Sequence, residues 1–475
     1  MHINNSSTQQ AARQQLAAQE RARFITQHPN SQALAAQAAP HWLFGVPLHW
    51  MSDWSIPFAL QVASAQGTQV TDMDGHSYAD FCLGDTGAMF GHAPEPVVCA
   101  VQQQVARGCT TMLCSQDAAW VGAELARRFG LPVWQSALSA SDANRFLLRW
   151  VRAATGRKKL LVFNGCYHGT VDDVFVDLVN GQPHQRDSLL GQVFDLTEHT
   201  VVVEFNDLPA LESALKGGDI ACVLAEPVMT NIGMVLPQPG FWPQAQALIR
   251  LHGAMLILDE THTFSSGPSG YASANGLLPD ALVLGKPIAG GLPCAIYGMS
   301  AELAARAMQA KRDAPPGHSG IGTTLTGNML AMAAMRATLG EVATDAAFKH
   351  MIAQCGEVAA GLRASIARHH LPWCVTQVGA RCEFQFGASA PCNGSQAEAL
   401  FDTGLEHLIH LALLNRGVLI TPFHNMLLCS PATTSADVQR LLAAFDEVLA
   451  LLMVAGAIGG CDASQATAPT PGSAL

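Results

Sequence analysis

A lysine closes the short apolar run Ala281-Leu282-Val283-Leu284-Gly285-Lys286, just before Pro287 and Gly290-Gly291. A second apolar run, Ala254-Met255-Leu256-Ile257-Leu258, ends in Asp259-Glu260. Uninterrupted apolar runs of this length fit buried strands, so the pattern predicts an amine and a carboxylate at one edge of a sheet. Pyridoxal phosphate needs such a pair: its aldehyde condenses with a lysine and its ring nitrogen takes an acidic partner. The string Asp259-Glu260-Thr261-His262 also resembles the acidic box of nucleotide hydrolases, which requires a Gly-x-x-x-x-Gly-Lys-Ser/Thr phosphate loop. The sequence lacks that loop, since Gly285-Lys286 is followed by proline.

These residues need a scaffold. At 475 residues the chain exceeds the size of one core, so two or more structural units are expected. Apolar strands such as Lys159-Leu160-Leu161-Val162-Phe163 alternate with helical segments such as residues 242–251, which predicts an α/β fold with a mainly parallel sheet covered by helices. From about Thr338 the pattern shifts to longer helices, over residues 341–368 and 395–415. Short strands follow or interrupt them near Cys382–Phe386 and Val418–Thr421, marking a smaller C-terminal domain. The expected division is an N-terminal helix or arm (1–40), an N-terminal part of the small domain (41–105), a large domain (106–337), a C-terminal small domain (338–457) and a disordered tail (458–475). Within the arm, residues 8–23 have helix-forming composition but a weak apolar face, predicting a solvent-exposed helix or a mobile arm.

Net charge −11 with 13% charged residues provides no basic stripe, which argues against nucleic acid or an anionic membrane surface as partner. Thirteen scattered cysteines without zinc spacing predict a reducing, cytoplasmic setting and no metal site. No signal-like segment and no run of eighteen apolar residues occurs, so neither export nor a membrane span is expected.

The order of motifs resembles the class III aminotransferases. Residues 72–81 (DMDGHSYADF), Gly91-His92, Ser139-Ala140-Ser141-Asp142-Ala143, Gly165-Cys166-Tyr167-His168-Gly169, Glu226-Pro227, Asp259-Glu260, Gly285-Lys286 and Gly327-Asn328 carry the resemblance. It covers roughly residues 42–452 and is nearest the branch with glutamate-1-semialdehyde aminomutase and β-amino-acid aminotransferases. The resemblance implies fold type I: a large domain with a mainly parallel, seven-stranded-type sheet, and a smaller α/β domain from the N- and C-terminal segments. It also implies a homodimer with pyridoxal 5′-phosphate at the subunit interface.

Carried onto this sequence, the resemblance makes Lys286 the Schiff-base lysine and proton carrier, Asp259 the partner of the ring nitrogen, and Tyr167 the residue stacked on the ring. His168 completes the turn beside Tyr167. Ser139, Ala140 and Ser141 would hold the phosphate at a helix start, with Thr324 reaching it from the second subunit. Asn231 would lie near the phenolic oxygen and Thr261 against the other ring face. Family members usually have glycine where this chain has Ala140, which raises the question whether φ there is negative. Glu226 and Asp207 are expected to support or cap, and His262, His318 and His369-His370 to be structural or exposed.

The substrate side departs from the family. Two family arginines that fork onto a substrate carboxylate are absent, from Leu48-His49-Trp50-Met51-Ser52-Asp53-Trp54 and from Thr421-Pro422-Phe423-His424-Asn425-Met426. The aminomutase branch carries a glutamate near His424. His49, Trp50, Trp54, Phe423, His424 and Asn425 are therefore expected to line an aromatic pocket with neutral donors. The expected activity is transamination from an amino acid or amine donor to a keto acid or aldehyde. The alternatives are an aminomutase-like isomerase and, from another class, a catalytically silent binding protein on the same fold.

Overall fold

The computed structural model describes residues 7–459; of the disordered tail expected over 458–475, Ile458 is instead buried in the core, and the residues after Gly459 lie outside those described. In chain order β1 (Val62–Gln66), β2 (Gln69–Asp72) and β3 (Ser77–Asp80) form an antiparallel meander. The next strands are β4 (Val133–Ala137), β5 (Lys159–Phe163), the hairpin β6 (Val176–Val179) and β7 (Gln182–Gln185), and β8 (Thr200–Val203). They are followed by β9 (Ile220–Ala225), β10 (Met255–Asp259), β11 (Ala281–Leu284) and β12 (Ala295–Met299).

The central sheet has the order β4-β12-β11-β10-β9-β5-β8. Within it β12 alone runs against its neighbours. This is the mainly parallel, seven-stranded α/β architecture expected. Its strands are apolar throughout because both faces are covered, and successive side chains go to opposite layers. Leu160, Val162, Ile257 and Val283 pack with Phe146, Leu147 and Val151 of the helix Ala140–Thr155. Leu161, Phe163, Leu256 and Leu258 pack with Trp242, Ala245 and Ile249 of the helix Phe241–Leu251. Each fully buried aliphatic side chain of this kind contributes about 1.5–3 kcal/mol.

Both ends of the chain build the smaller unit. β13 (Cys374–Val378), β14 (Arg381–Gln385) and β16 (Met426–Leu428) form one sheet, while β15 (Val418–Leu419) pairs in parallel with β3. The expected 395–415 helix is two helices, Gly394–Glu398 and Thr403–Leu414, because the Asp402 side chain caps the second through the Leu405 N–H. The helix expected from 341 begins at Asp345, after a wide turn over Thr338–Val342.

The N-terminal helix Ser7–Gln27 is docked, contrary to the exposed or mobile arm expected. Leu16 and Phe24 are buried, and so is Glu20, whose carboxylate accepts from Asn415 Nδ2 at 2.6 Å and pairs with Arg416 at 3.1 Å. A buried acid within the contact face weakens the apolar stripe that signals docking. Among the described residues no helix is long and apolar enough to cross a membrane.

Candidate active site

β10 and β11 are parallel neighbours with Asp259 level with Val283, so Asp259 and Lys286 emerge at the same sheet edge. Both line a cavity of about 400 Å³, together with Ser139, Ala140, Ser141, Tyr167, Asn231 and Thr261. Lys286 has φ +41°, a left-handed conformation costing about 1–3 kcal/mol in a non-glycine residue and common where a side chain is aimed for function. Gly285 before it is required by close approach: a Cβ there would lie 2.7 Å from Ala140 Cβ.

The opposite wall is the start of the helix Ala140–Thr155. Ser139 caps it, accepting from the Asp142 N–H at 3.1 Å, which leaves the first-turn N–H groups of Ala140 and Ser141 without an acceptor inside the helix. Ala140 is absent from the positive-φ residues, so alanine fits where the family uses glycine. Gly169 closes on the same turn: a Cβ there would lie 2.1 Å from Ser141 Oγ, which accepts from the Thr170 N–H at 3.0 Å. The result is a concave donor cradle at a helix N-terminus, suited to an anion.

Asp259 is held from behind. Its Oδ2 accepts from Asn144 Nδ2 at 2.8 Å and from His168 Nδ1 at 3.2 Å, and its Oδ1 from the Thr261 N–H at 3.1 Å. Burial opposes its charge, but the His168 hydrogen bond and charge outweigh it and hold the carboxyl down at about 2. His168 is thus beneath the cavity and supports Asp259.

Sequence reasoning missed two residues at Lys286. The Lys286 Nζ donates to Asp85 Oδ2 at 2.6 Å and contacts His262 Nε2 at 2.5 Å. His262, expected to be structural or exposed, is 5% exposed and lines the cavity. Glu226 lines it too, whereas Asp207 caps the helix Leu208–Leu215 as expected. Asp85 and Thr86 both have positive φ between Gly84 and Gly87, a clustering of glycines that was the available signal. That loop is pinned by the fully buried Arg381, which donates to Thr86 Oγ1 at 2.8 Å and Ser265 Oγ at 3.1 Å.

A family model described as aminotransferase class-III matches residues 50–449. The chain belongs to the class-III aminotransferases. It is 35% identical over 403 residues to glutamate-1-semialdehyde 2,1-aminomutase of Chloroflexus aggregans, covering 82% of this chain and 90% of that one. A glutamate-1-semialdehyde-aminomutase of Pseudomonas aeruginosa PAO1, solved in complex with PMP, superposes with a TM-score of 0.91 at 48% identity, covering 93% of this chain and 99% of the other. A β-phenylalanine aminotransferase of Variovorax paradoxus superposes with a TM-score of 0.81 at 25% identity, covering 92% and 97%. The chain is therefore a pyridoxal-phosphate enzyme of fold type I, and the donor cradle facing a lysine and a carboxylate fits that cofactor.

In this aminotransferase fold the six residues expected around the substrate do not line the Lys286 cavity. Trp54 and Phe423 line a second cavity of about 520 Å³ with Glu406 and His407. Trp50 meets Phe423 edge-on at 6.0 Å, and His49 is exposed in the same 3₁₀ turn as Trp50. His424 is buried against Glu383 at 3.0 Å. Asn425 turns into the small domain, contacting His410 Nε2 at 3.0 Å, because β16 begins at Met426 and the preceding turn folds back on the helix Thr403–Leu414. Thr324 lies in an exposed turn outside the cavity of its own chain.

Of the other histidines, His318 is exposed and His369 pairs with Asp446 at 3.1 Å. Away from the cavity, His28, Asp72 and His76 offer ligand atoms within 4.8 Å of one another, a grouping that their spacing in the sequence does not reveal. The Tyr78 hydroxyl already bridges His28 Nε2 and Asp72 Oδ2, each at 2.7 Å, and ties the N-terminal helices to the β2–β3 hairpin.

The Asp259–His168 pair predicts a pH dependence. Burial opposes the charged His168 ring, but the hydrogen bond it donates to Asp259 and the Cys166 sulfur beside it raise the ring to about 10. A raised histidine contributes stability in full below its unfolded value near 6.5 and loses it as pH climbs through its folded value. Urea unfolding midpoints should therefore fall from about pH 6.5 to 10, and His168→Gln should flatten that slope. An unchanged slope in the variant would remove His168 as its source.

Proposed function

We propose that this chain transfers amino groups between molecules: an amino acid or amine donor yields its amino group, and a keto acid or aldehyde receives it in a second half-reaction. The observation that carries the reading is the Lys286 amine and the Asp259 carboxylate on adjacent strand ends, facing the donor cradle in one cavity. Pyridoxal phosphate, when bound, supplies an aldehyde that takes up the amino group and a ring that withdraws an electron pair. Asp259 would keep the ring nitrogen protonated, since its carboxyl stays ionised at neutral pH. The N–H groups of Ala140 and Ser141, with the Ser139 and Ser141 hydroxyls, would hold the phosphate. Tyr167 and Thr261 would bracket the ring, Asn231 would face its oxygen, and Lys286 would carry the proton between donor carbon and cofactor.

Thr324, exposed on its own chain, would serve the cofactor of a second subunit in a homodimer. The twelve described cysteines are all free, which supports a reducing cytoplasm. A binding protein without chemistry would need neither the strained Lys286 nor the ion pair at its amine.

The second reading is an aminomutase, in which the amino group returns to the same molecule. The 48% identity to a glutamate-1-semialdehyde-aminomutase favours it. Against it, the turn whose counterpart in the aminomutase branch carries a glutamate has His424 here, already engaged by Glu383. Mixing the loaded enzyme with a donor, without acceptor, separates the two. Transamination releases about one equivalent of free keto product per site; an aminomutase releases an isomer and leaves no stoichiometric keto product.

A further inference from the structure

The Lys286 amine is useful only through its lone pair, yet it is paired with a carboxylate. Asp85 lies 2.6 Å from Nζ. Burial opposes the Asp85 charge, but the charge of Lys286 beside it outweighs burial and holds the carboxyl far below the ordinary range. Some group must take the proton that Lys286 sheds, and the candidate is the imidazole already touching it.

With Glu226 ionised, hydrogen-bond counting assigns a tautomer to that imidazole. Glu226 is buried, and its Oε1 accepts from Asn231 Nδ2 at 3.0 Å and from the Thr230 N–H at 3.4 Å. Burial pushes its carboxyl up, opposed by these donors. Its Oε2 accepts the Thr230 hydroxyl proton. A threonine hydroxyl has one proton, so Thr230 Oγ1 meets His262 Nδ1, 2.7 Å away, as an acceptor. Nδ1 therefore carries a hydrogen, and Nε2 presents a lone pair to Lys286. An N···N contact of 2.5 Å holds one proton.

We propose that His262 shares this proton with Lys286, and that Thr230 and Glu226 are the positioning residues that keep Nε2 available to receive it. The inference rests on Lys286 being the cofactor-bearing lysine. In the transfer an N–H bond of the Lys286 ammonium breaks and an Nε2–H bond of His262 forms. The amine becomes neutral and the imidazole cationic, with its Nδ1–H on Thr230, the Thr230 hydroxyl on Glu226, and Asp85 facing both bases at 2.6 and 3.9 Å. The total protonation of the pair is unchanged, so a neutral amine exists at a pH where an isolated lysine would be an ammonium ion. Asp259 at the end of β10 and Arg381 on β14 bear on His262 at longer range, as Tyr167 does on Asp85. Burial and the Lys286 charge hold His262 well below its ordinary range, which favours return of the proton from Nε2 once the lone pair has been used.

The test is the pH profile of Lys286 acylation in the full chain stripped of cofactor, read by mass spectrometry with acetic anhydride as probe. An isolated lysine loses reactivity tenfold per pH unit on acidification. Lys286 should instead level off, because the shared-proton form does not depend on pH until the pair binds a second proton. His262→Gln should remove the plateau, so that the reactivity of Lys286 keeps falling about tenfold per pH unit through the acid range where the wild type levels off. Thr230→Val should lower the plateau and Thr230→Ser should keep it. If His262→Gln does not fold, the valine and serine variants of Thr230 decide. Superimposable profiles for the wild type and for His262→Gln, or for both Thr230 variants, would overturn the proposal. Borohydride attachment of the cofactor to Lys286, measured on the same holoenzymes, keeps the two readings apart: with it intact, flat results count against the relay alone.

Discussion

Lys286→Ala is expected to leave a folded protein that no longer retains pyridoxal phosphate covalently after borohydride reduction and whose turnover falls by at least about 10⁴-fold. The loss would be large because, in the proposed roles, one amine both anchors the cofactor and moves the proton, and the cavity offers no second lysine. The fold should survive, since Lys286 sits outside the strand and its side chain is 31% exposed. What remains is Asp85 without its cation, at a site open enough for water to replace it. Peptide mapping of the reduced wild-type protein checks the assignment, and a cofactor-labelled peptide containing a different lysine would refute it.

Asp259→Asn is the second large effect, with turnover expected to fall about 10²–10³-fold while the cofactor still binds. Two losses combine. The negative charge proposed to face the ring nitrogen disappears, and the amide cannot satisfy its neighbours in either orientation. With its oxygen toward Asn144 and His168, its NH₂ meets the Thr261 N–H; reversed, its NH₂ meets the Asn144 amide and the His168 ring. Either way a buried donor faces a donor, which costs about 1–3 kcal/mol of stability. Unchanged turnover in this variant would refute the ring-nitrogen role of Asp259.

Lys286 and Asp259 were readable in the sequence because parallel strands of a covered sheet are apolar throughout, so a charged residue ending such a run stands out, and neighbouring strands bring those ends together. Asp85 and His262 were not. Asp85 lies 201 residues before Lys286, on a loop whose path depends on positive φ at Asp85 and Thr86 and on a buried arginine from β14. His262 looks ordinary until the chain turning back after β10 aims it at the amine. Of the aromatic residues at 50, 54 and 423, Trp54 and Phe423 line a cavity separate from that of Lys286. Nothing local could tell which cavity, because that depends on how the turn before β16 packs. The N-terminal helix was underestimated for a related reason: its buried Glu20 is satisfied by Asn415 and Arg416, partners nearly the whole chain away.

The most direct test of the account is the absorbance spectrum of the enzyme loaded with pyridoxal phosphate, recorded before and after adding α-, β- and ω-amino acids and simple amines one at a time without acceptor. The account predicts that at least one donor converts the cofactor band to that of the pyridoxamine form, with an equal amount of keto product released. A lysine-bound cofactor band that no donor in the panel converts would contradict amino-group transfer between molecules.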